Sequence, residues 1–153
     1  MRVTSRPIFR LVIASLLVIA STLAARAQEG DRSDDVKPLG DCEACVFEAQ
    51  DFSDRALTGI NFAAAQLSNI VFDRAVMNIA VFDDAVLRDV SFNGTDLSGS
   101  SFVGTRLEGV SFDGADLNGA VFEGAILDRT DLQAAQLCNT QIPGDIMDSS
   151  DCE

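Results

Sequence analysis

The chain has 153 residues, with 24 acidic against 11 basic side chains and a net charge of -13 at neutral pH. It contains no His, Trp or Tyr, which removes the commonest metal ligand and the commonest general base. An acidic balance of this size disfavours nucleic acid and anionic lipid as partners and leaves cations or basic protein surfaces.

Residues 1–27 read as a secretory signal peptide. Arg2, Arg6 and Arg10 precede an apolar run from Leu11 to Ala20, and Ala25-Arg26-Ala27 supplies a small-residue cleavage site before Gln28. The apolar run is shorter than the roughly 20 residues that span a bilayer, and no Cys follows the cleavage site to carry a lipid. The expectation is therefore a bacterial exported protein, periplasmic or secreted, with no stable membrane insertion after signal cleavage. Four arginines and no acids leave with the signal, so residues 28–153 carry 24 acidic and 7 basic side chains, a net charge of -17.

Residues 28–44 are expected to form a flexible leader and N-terminal cap; the stretch QEGDRSDDVKPLGD is polar and has no periodicity. From residue 45 the chain repeats every five residues. Counting by fives from Phe47 to Leu137, every position is Phe, Leu or Met. Two residues before each centre the side chain is usually small, as at Ala65, Ala75, Ala80, Ala85, Thr95, Ser100, Thr105, Ala115 and Ala120; Gln50, Arg55, Ile60 and Ile70 are the exceptions. In an extended segment these two positions point to the same side. Each unit therefore supplies one short side of a coil with two inward residues, followed by a corner. Gly94, Gly99, Gly104, Gly109, Gly114, Gly119 and Gly124 occupy seven consecutive corners, where a type II turn demands positive φ. Phe alternates with Leu or Met along the centres, so a four-sided coil stacks Phe on two opposite sides. The pattern predicts an all-β parallel solenoid over residues 45–139, about 4.75 coils of twenty residues, in which each coil buries its apolar face against its neighbours. Residues 140–153 lose the repeat and are expected to cover the last coil as a C-terminal cap.

The unit Ala115-Asp116-Leu117-Asn118-Gly119 resembles the repeat of the pentapeptide-repeat family, roughly A-(D/N)-L-x-x. The resemblance covers residues 45–139 and implies a right-handed quadrilateral parallel β-helix. The residue before the centre departs from the family pattern in many units, where Val71, Val76, Val81, Val86 and Ser91 replace Asp or Asn; that position faces outward, so the fold is unaffected.

The four cysteines lie at the two ends, Cys42 and Cys45 before the repeat and Cys138 and Cys152 after it. At about 4.8 Å per coil the ends stand roughly 22 Å apart, beyond the ~7 Å Cα separation that a disulfide tolerates. Of three possible pairings only Cys42 with Cys45 and Cys138 with Cys152 survives, and export favours oxidation. The same distance excludes a four-cysteine zinc site. A redox reading of Cys42-Glu43-Ala44-Cys45 lacks the helix start on which such motifs sit, and haem attachment would need His where Val46 stands.

No cofactor, metal site or catalytic constellation is expected: the walls are flat, no long insertion makes a pocket, and Asp83, Asp84 and Asp89 read as a solvated face. The expected function is a non-catalytic exported scaffold or protein-interaction module with an unknown protein partner and no nucleic acid, as a monomer or an end-to-end homodimer. Its candidate contact surface is a belt of outward residues, Val71, Val76, Ile79, Val81 and Val86. The alternative, suggested by the family resemblance, is an acidic DNA mimic that binds a topoisomerase or another DNA-binding protein. Against it, residues 45–139 carry 14 acids and 5 arginines, or roughly one net charge per 2.5 Å, whereas duplex DNA carries one per about 1.7 Å.

Overall fold

The computed structural model describes residues 36–152; the signal peptide expected over residues 1–27 and the start of the leader lie outside the described residues. Seven short strands are present among the described residues: β1 Val46–Glu48, β2 Gln66–Ser68, β3 Val86–Arg88, β4 Arg106–Glu108, β5 Ile126–Asp128, β6 Thr140–Ile142 and β7 Ile146–Asp148. β1 to β5 form one parallel sheet in chain order, and each step advances twenty residues, so that Phe47 pairs with Leu67, Leu67 with Leu87, Leu87 with Leu107 and Leu107 with Leu127. The other three sides advance by the same step through single parallel bridges, for example Asp51 to Val71, Val76 to Asp96 and Val81 to Ser101. The five-residue period thus produces a four-sided, all-β parallel solenoid.

The core is a set of columns running along the axis. Phe52, Phe72, Phe92 and Phe112 stack at centroid spacings of 5.5, 5.2 and 5.3 Å. On the opposite side Phe62, Phe82, Phe102 and Phe122 stack at 5.5, 4.8 and 4.7 Å. The two ladders meet edge to face, as Phe102 and Phe112 do at 5.9 Å and 87°, which adds quadrupole attraction to the burial of each ring. Leu and Met centres fill the remaining two sides, and every centre from Phe47 to Phe122 is buried.

The inner layer contains hydroxyls as well. Thr95, Ser100 and Thr105 are fully buried, and each donates to the carbonyl of a centre one coil below: Thr95 to Phe72, Ser100 to Met77 and Thr105 to Phe82. A hydroxyl fits where Ala fits elsewhere because the coil beneath supplies its acceptor.

The four corners are not equivalent. Three of them close with a backbone hydrogen bond from the residue three beyond a centre, as in Ala75 to Phe72, Ala80 to Met77 and Ala85 to Phe82. The corner after β3 makes none and is stretched. The small-residue position after this open corner holds Ile70, Val90 and Val110, all buried, and the one comparably large inward residue after a closed corner is Ile60 in the first coil. Gln50 and Arg55, at the same inward position of the first coil, turn outward; Arg55 donates to the Val36 carbonyl at 2.7 Å and lies over the Phe52 ring at 5.5 Å.

The coil register reaches back into the N-terminal cap. Asp41 bridges to Asn61, Cys42 donates its N–H to Asn61, and Val36 is wholly buried. At the other end β6 and β7 form an antiparallel hairpin with Thr140 opposite Asp148.

Candidate functional site

The five residues of the expected belt lie on the outer walls and distribute around one coil. Val71, Val81 and Val86 are half-buried, on three different sides. Val76 is 44% exposed and Ile79 55% exposed. Val76, Ile79 and Val81 are successive outward positions around the corner that joins the Met77 side to the Phe82 side. A belt encircling the rod cannot meet one flat partner, so its residues can share a flat contact only where they flank one corner.

A residue outside the expected belt completes it. Leu39 is 77% exposed, and its Cδ2 lies 2.6 Å from where a side chain at Gly59 would begin, with Ile79 Cδ1 3.6 Å from the same point. Leu39 and Ile79 therefore flank Gly59 and make one apolar ridge across two coils. Leu39 occupies a corner position when fives are counted back from Phe47, but the corresponding centre is Lys37, so the repeat is hidden there.

Ile79 is unusual in its backbone as well. Its φ is +55°, the same left-handed conformation as the flanking corners Arg74 and Asp84, but Ile79 is the one β-branched residue among the described positive-φ positions, and β-branching makes that conformation strained.

The remaining walls are polar and largely self-satisfied. Arg74 clamps Asp54 with two hydrogen bonds of 2.8 Å across adjacent coils, and this pairing holds the Asp54 carboxyl below the usual carboxylate range. A lowered native pKa means that the pair's contribution is present at neutral pH and is lost as the pH falls through that lowered value; both groups are well exposed, so the contribution is small. Arg88 and Arg106 both pair with Glu108, and Arg129 pairs with Asp128.

Asp83 is not part of a solvated face, contrary to the sequence expectation. It is half-buried, accepts from the Ser101 hydroxyl and accepts the Val103 N–H at 3.1 Å. Asp73 does the same for Ser91 and the Asn93 N–H. These carboxylates stitch adjacent coils, which explains why Ser replaces Asp or Asn before the centre at Ser91 and Ser101. Asp84 and Asp89 remain exposed, and their carboxylates lie 2.6 and 2.7 Å from where side chains at Gly104 and Gly109 would start. A side chain at either corner would require the Asp84 or Asp89 carboxylate to swing away and would be held at positive φ.

At the ends, Cys42 is bonded to Cys45 and Cys138 to Cys152. Cys42 and Cys45 are buried beneath the first coil, whereas Cys152 is exposed. Peptide mapping of the purified chain without reductant should recover these two linked pairs and no crosslink between the ends; four free thiols or an end-to-end pair would contradict the closed caps. Among the described residues there is no cluster of ligating side chains that would hold a metal ion, and no helix is long and apolar enough to cross a membrane.

The model of pentapeptide repeats matches eight copies, over residues 65–104, 80–119 and 105–140. The chain belongs to the pentapeptide-repeat family. Among solved pentapeptide-repeat proteins it is similar to HetL, involved in heterocyst differentiation regulation in the cyanobacterium Nostoc, with 25% identity and a TM-score of 0.68 over 72% of this chain. The match covers 52% of HetL, so the chain spans about half of that protein's length. A pentapeptide-repeat protein of the Arabidopsis thaliana thylakoid lumen matches at 19% identity and a TM-score of 0.58, covering 65% of this chain and 70% of its own. Rfr23 of the cyanobacterium Cyanothece matches at 18% identity and a TM-score of 0.50, covering 62% and 85% respectively. The last two likenesses concern the fold alone. No curated protein sequence gives a significant match.

Proposed function

We propose that this pentapeptide-repeat protein is an exported, non-catalytic interaction module whose contact surface is the corner ridge of Leu39, Val76, Ile79 and Val81. The observation that carries this reading is Ile79. A strained backbone conformation that Gly adopts freely is occupied by a β-branched side chain that remains more than half exposed. Strain and exposed apolar surface both cost stability, and their coincidence on one residue is what a binding site selects for.

Export rests on the Arg-rich, apolar and A-x-A sequence of residues 1–27. The alternating charges of the walls support a protein contact over a DNA-like rod, because Arg74, Arg88, Arg106 and Arg129 each lie against an acid and break the negative field.

The double substitution Val76→Ser, Ile79→Gly tests the proposal. Gly relieves the corner, so folding stability should stay within about 1 kcal/mol of the parent. Association with the partner recovered by affinity capture from the exported fraction should fall by at least about tenfold, the equivalent of 1.4 kcal/mol. Unchanged capture by a variant of unchanged melting temperature would remove the ridge as the contact surface.

A further inference from the structure

The C-terminal end of the solenoid combines an open strand edge with an apolar groove, and neither belongs to the corner ridge. β5 is the last strand of the parallel sheet, so its outer edge has no strand partner. The N–H groups of Arg129 and Ala134 continue that edge and make no hydrogen bond among the described residues. One coil earlier the equivalent donors are satisfied, Gly109 by the Asp128 carbonyl and Gly114 by that of Ala134, both at 2.8 Å. The cap closes only the next side, where Asp151 accepts the Leu137 N–H at 3.0 Å and Ser149 accepts that of Asn139 at 3.3 Å. Beside the open edge lies a groove of about 480 Å³ between the last coil and the β6–β7 hairpin, walled by Leu127, Leu132, Leu137 and Ile142, with Asp131 and Asp148 at its rim.

We infer that this end binds an extended segment of a partner protein, alternately apolar and basic, which adds to the outer edge of β5. Free main-chain donors recognise an extended backbone, and the adjoining groove takes alternate side chains. The sign of the rim selects the charge: Asp131 and Asp148 are the charged residues lining the groove and no Lys or Arg lines it, while the nearby Arg129 is already paired to Asp128 at 3.8 Å. The same carboxylates argue against a second copy as the occupant, since end-to-end contact would set like charges face to face.

The test is amide exchange, followed by NMR on the exported chain, in the presence of a short peptide alternating Lys and Val or one alternating Glu and Val. The basic peptide should slow exchange at Leu127, Arg129 and Ala134 by about tenfold or more at saturation, in a salt-sensitive manner, and the acidic peptide should not. The variant Asp131→Asn, Asp148→Asn keeps both side chains as acceptors; it should weaken the basic peptide by about fivefold to tenfold at an unchanged melting temperature. Absence of protection, or equal protection by both peptides, would overturn the proposal. Protection that grows with protein concentration alone would replace the partner segment by a second copy and equally overturn it. None of these readouts involves the Ile79 corner, so failure here and failure of the proposed contact surface are distinguishable.

Discussion

Replacing Phe102 by Ala should destabilise the solenoid by about 3–5 kcal/mol, read as a lowered denaturant midpoint. Phe102 is wholly buried and stacked between Phe82 at 4.8 Å and Phe122 at 4.7 Å. It also meets Phe92 and Phe112 edge to face. Truncation therefore breaks a ladder at its middle and removes contacts with four rings. The coils above and below are pinned by backbone hydrogen bonds on all four sides, which limits collapse into the cavity. A loss below about 1 kcal/mol would mean that the rings are not the packing element they are taken for here.

The second large effect comes from adding volume. Ala115→Phe should cost about 1–3 kcal/mol or more, because Ala115 is wholly enclosed at a closed corner, where its N–H donates to Phe112 at 3.0 Å. Val110→Ile, at the inward position after an open corner, should cost under about 1.5 kcal/mol, since Ile70 already occupies the same column. Thermal unfolding of the pair measures the contrast. Equal losses would show that the open and closed corners do not set the room inside each side.

These two sites illustrate what the sequence discloses. The five-residue rhythm is sufficient for the fold because both inward positions of a unit are chemically marked, one by Phe, Leu or Met and one by a small residue. The inequality of the corners left a trace too: Ile70, Val90 and Val110 recur every twenty residues at the small position, with Ile60 the large residue that falls outside that series. Read only as scattered exceptions they conceal the period of the coil. The Ser91–Asp73 and Ser101–Asp83 pairs recur at a separation of eighteen, a distance meaningful only once twenty residues are known to make one turn. Outward aspartates look alike in a sequence, and only the coil stacking separates Asp83, which bonds its neighbour, from Asp84, which does not.

The contact surface was the least legible part. Val71 and Val86 share the periodic position of Val76 and Val81, and the count of four units per coil puts the four valines on four sides, but that count does not say which of them stay exposed. Leu39 was masked by Lys37, which breaks the pattern one unit before the Cys42 centre, inside the N-terminal cap. The strain at Ile79 is invisible without a dihedral angle, because most corners in the first half of the repeat also carry residues other than Gly.

Site-specific photocrosslinking in the producing cell tests the central claim most directly, with the reactive side chain placed at Ile79 in one variant and at Asp113, an exposed residue on a different side, in another. A contact surface at the ridge predicts a single defined adduct from position 79 and none from position 113. The same adduct from both positions, or none from position 79, would contradict it.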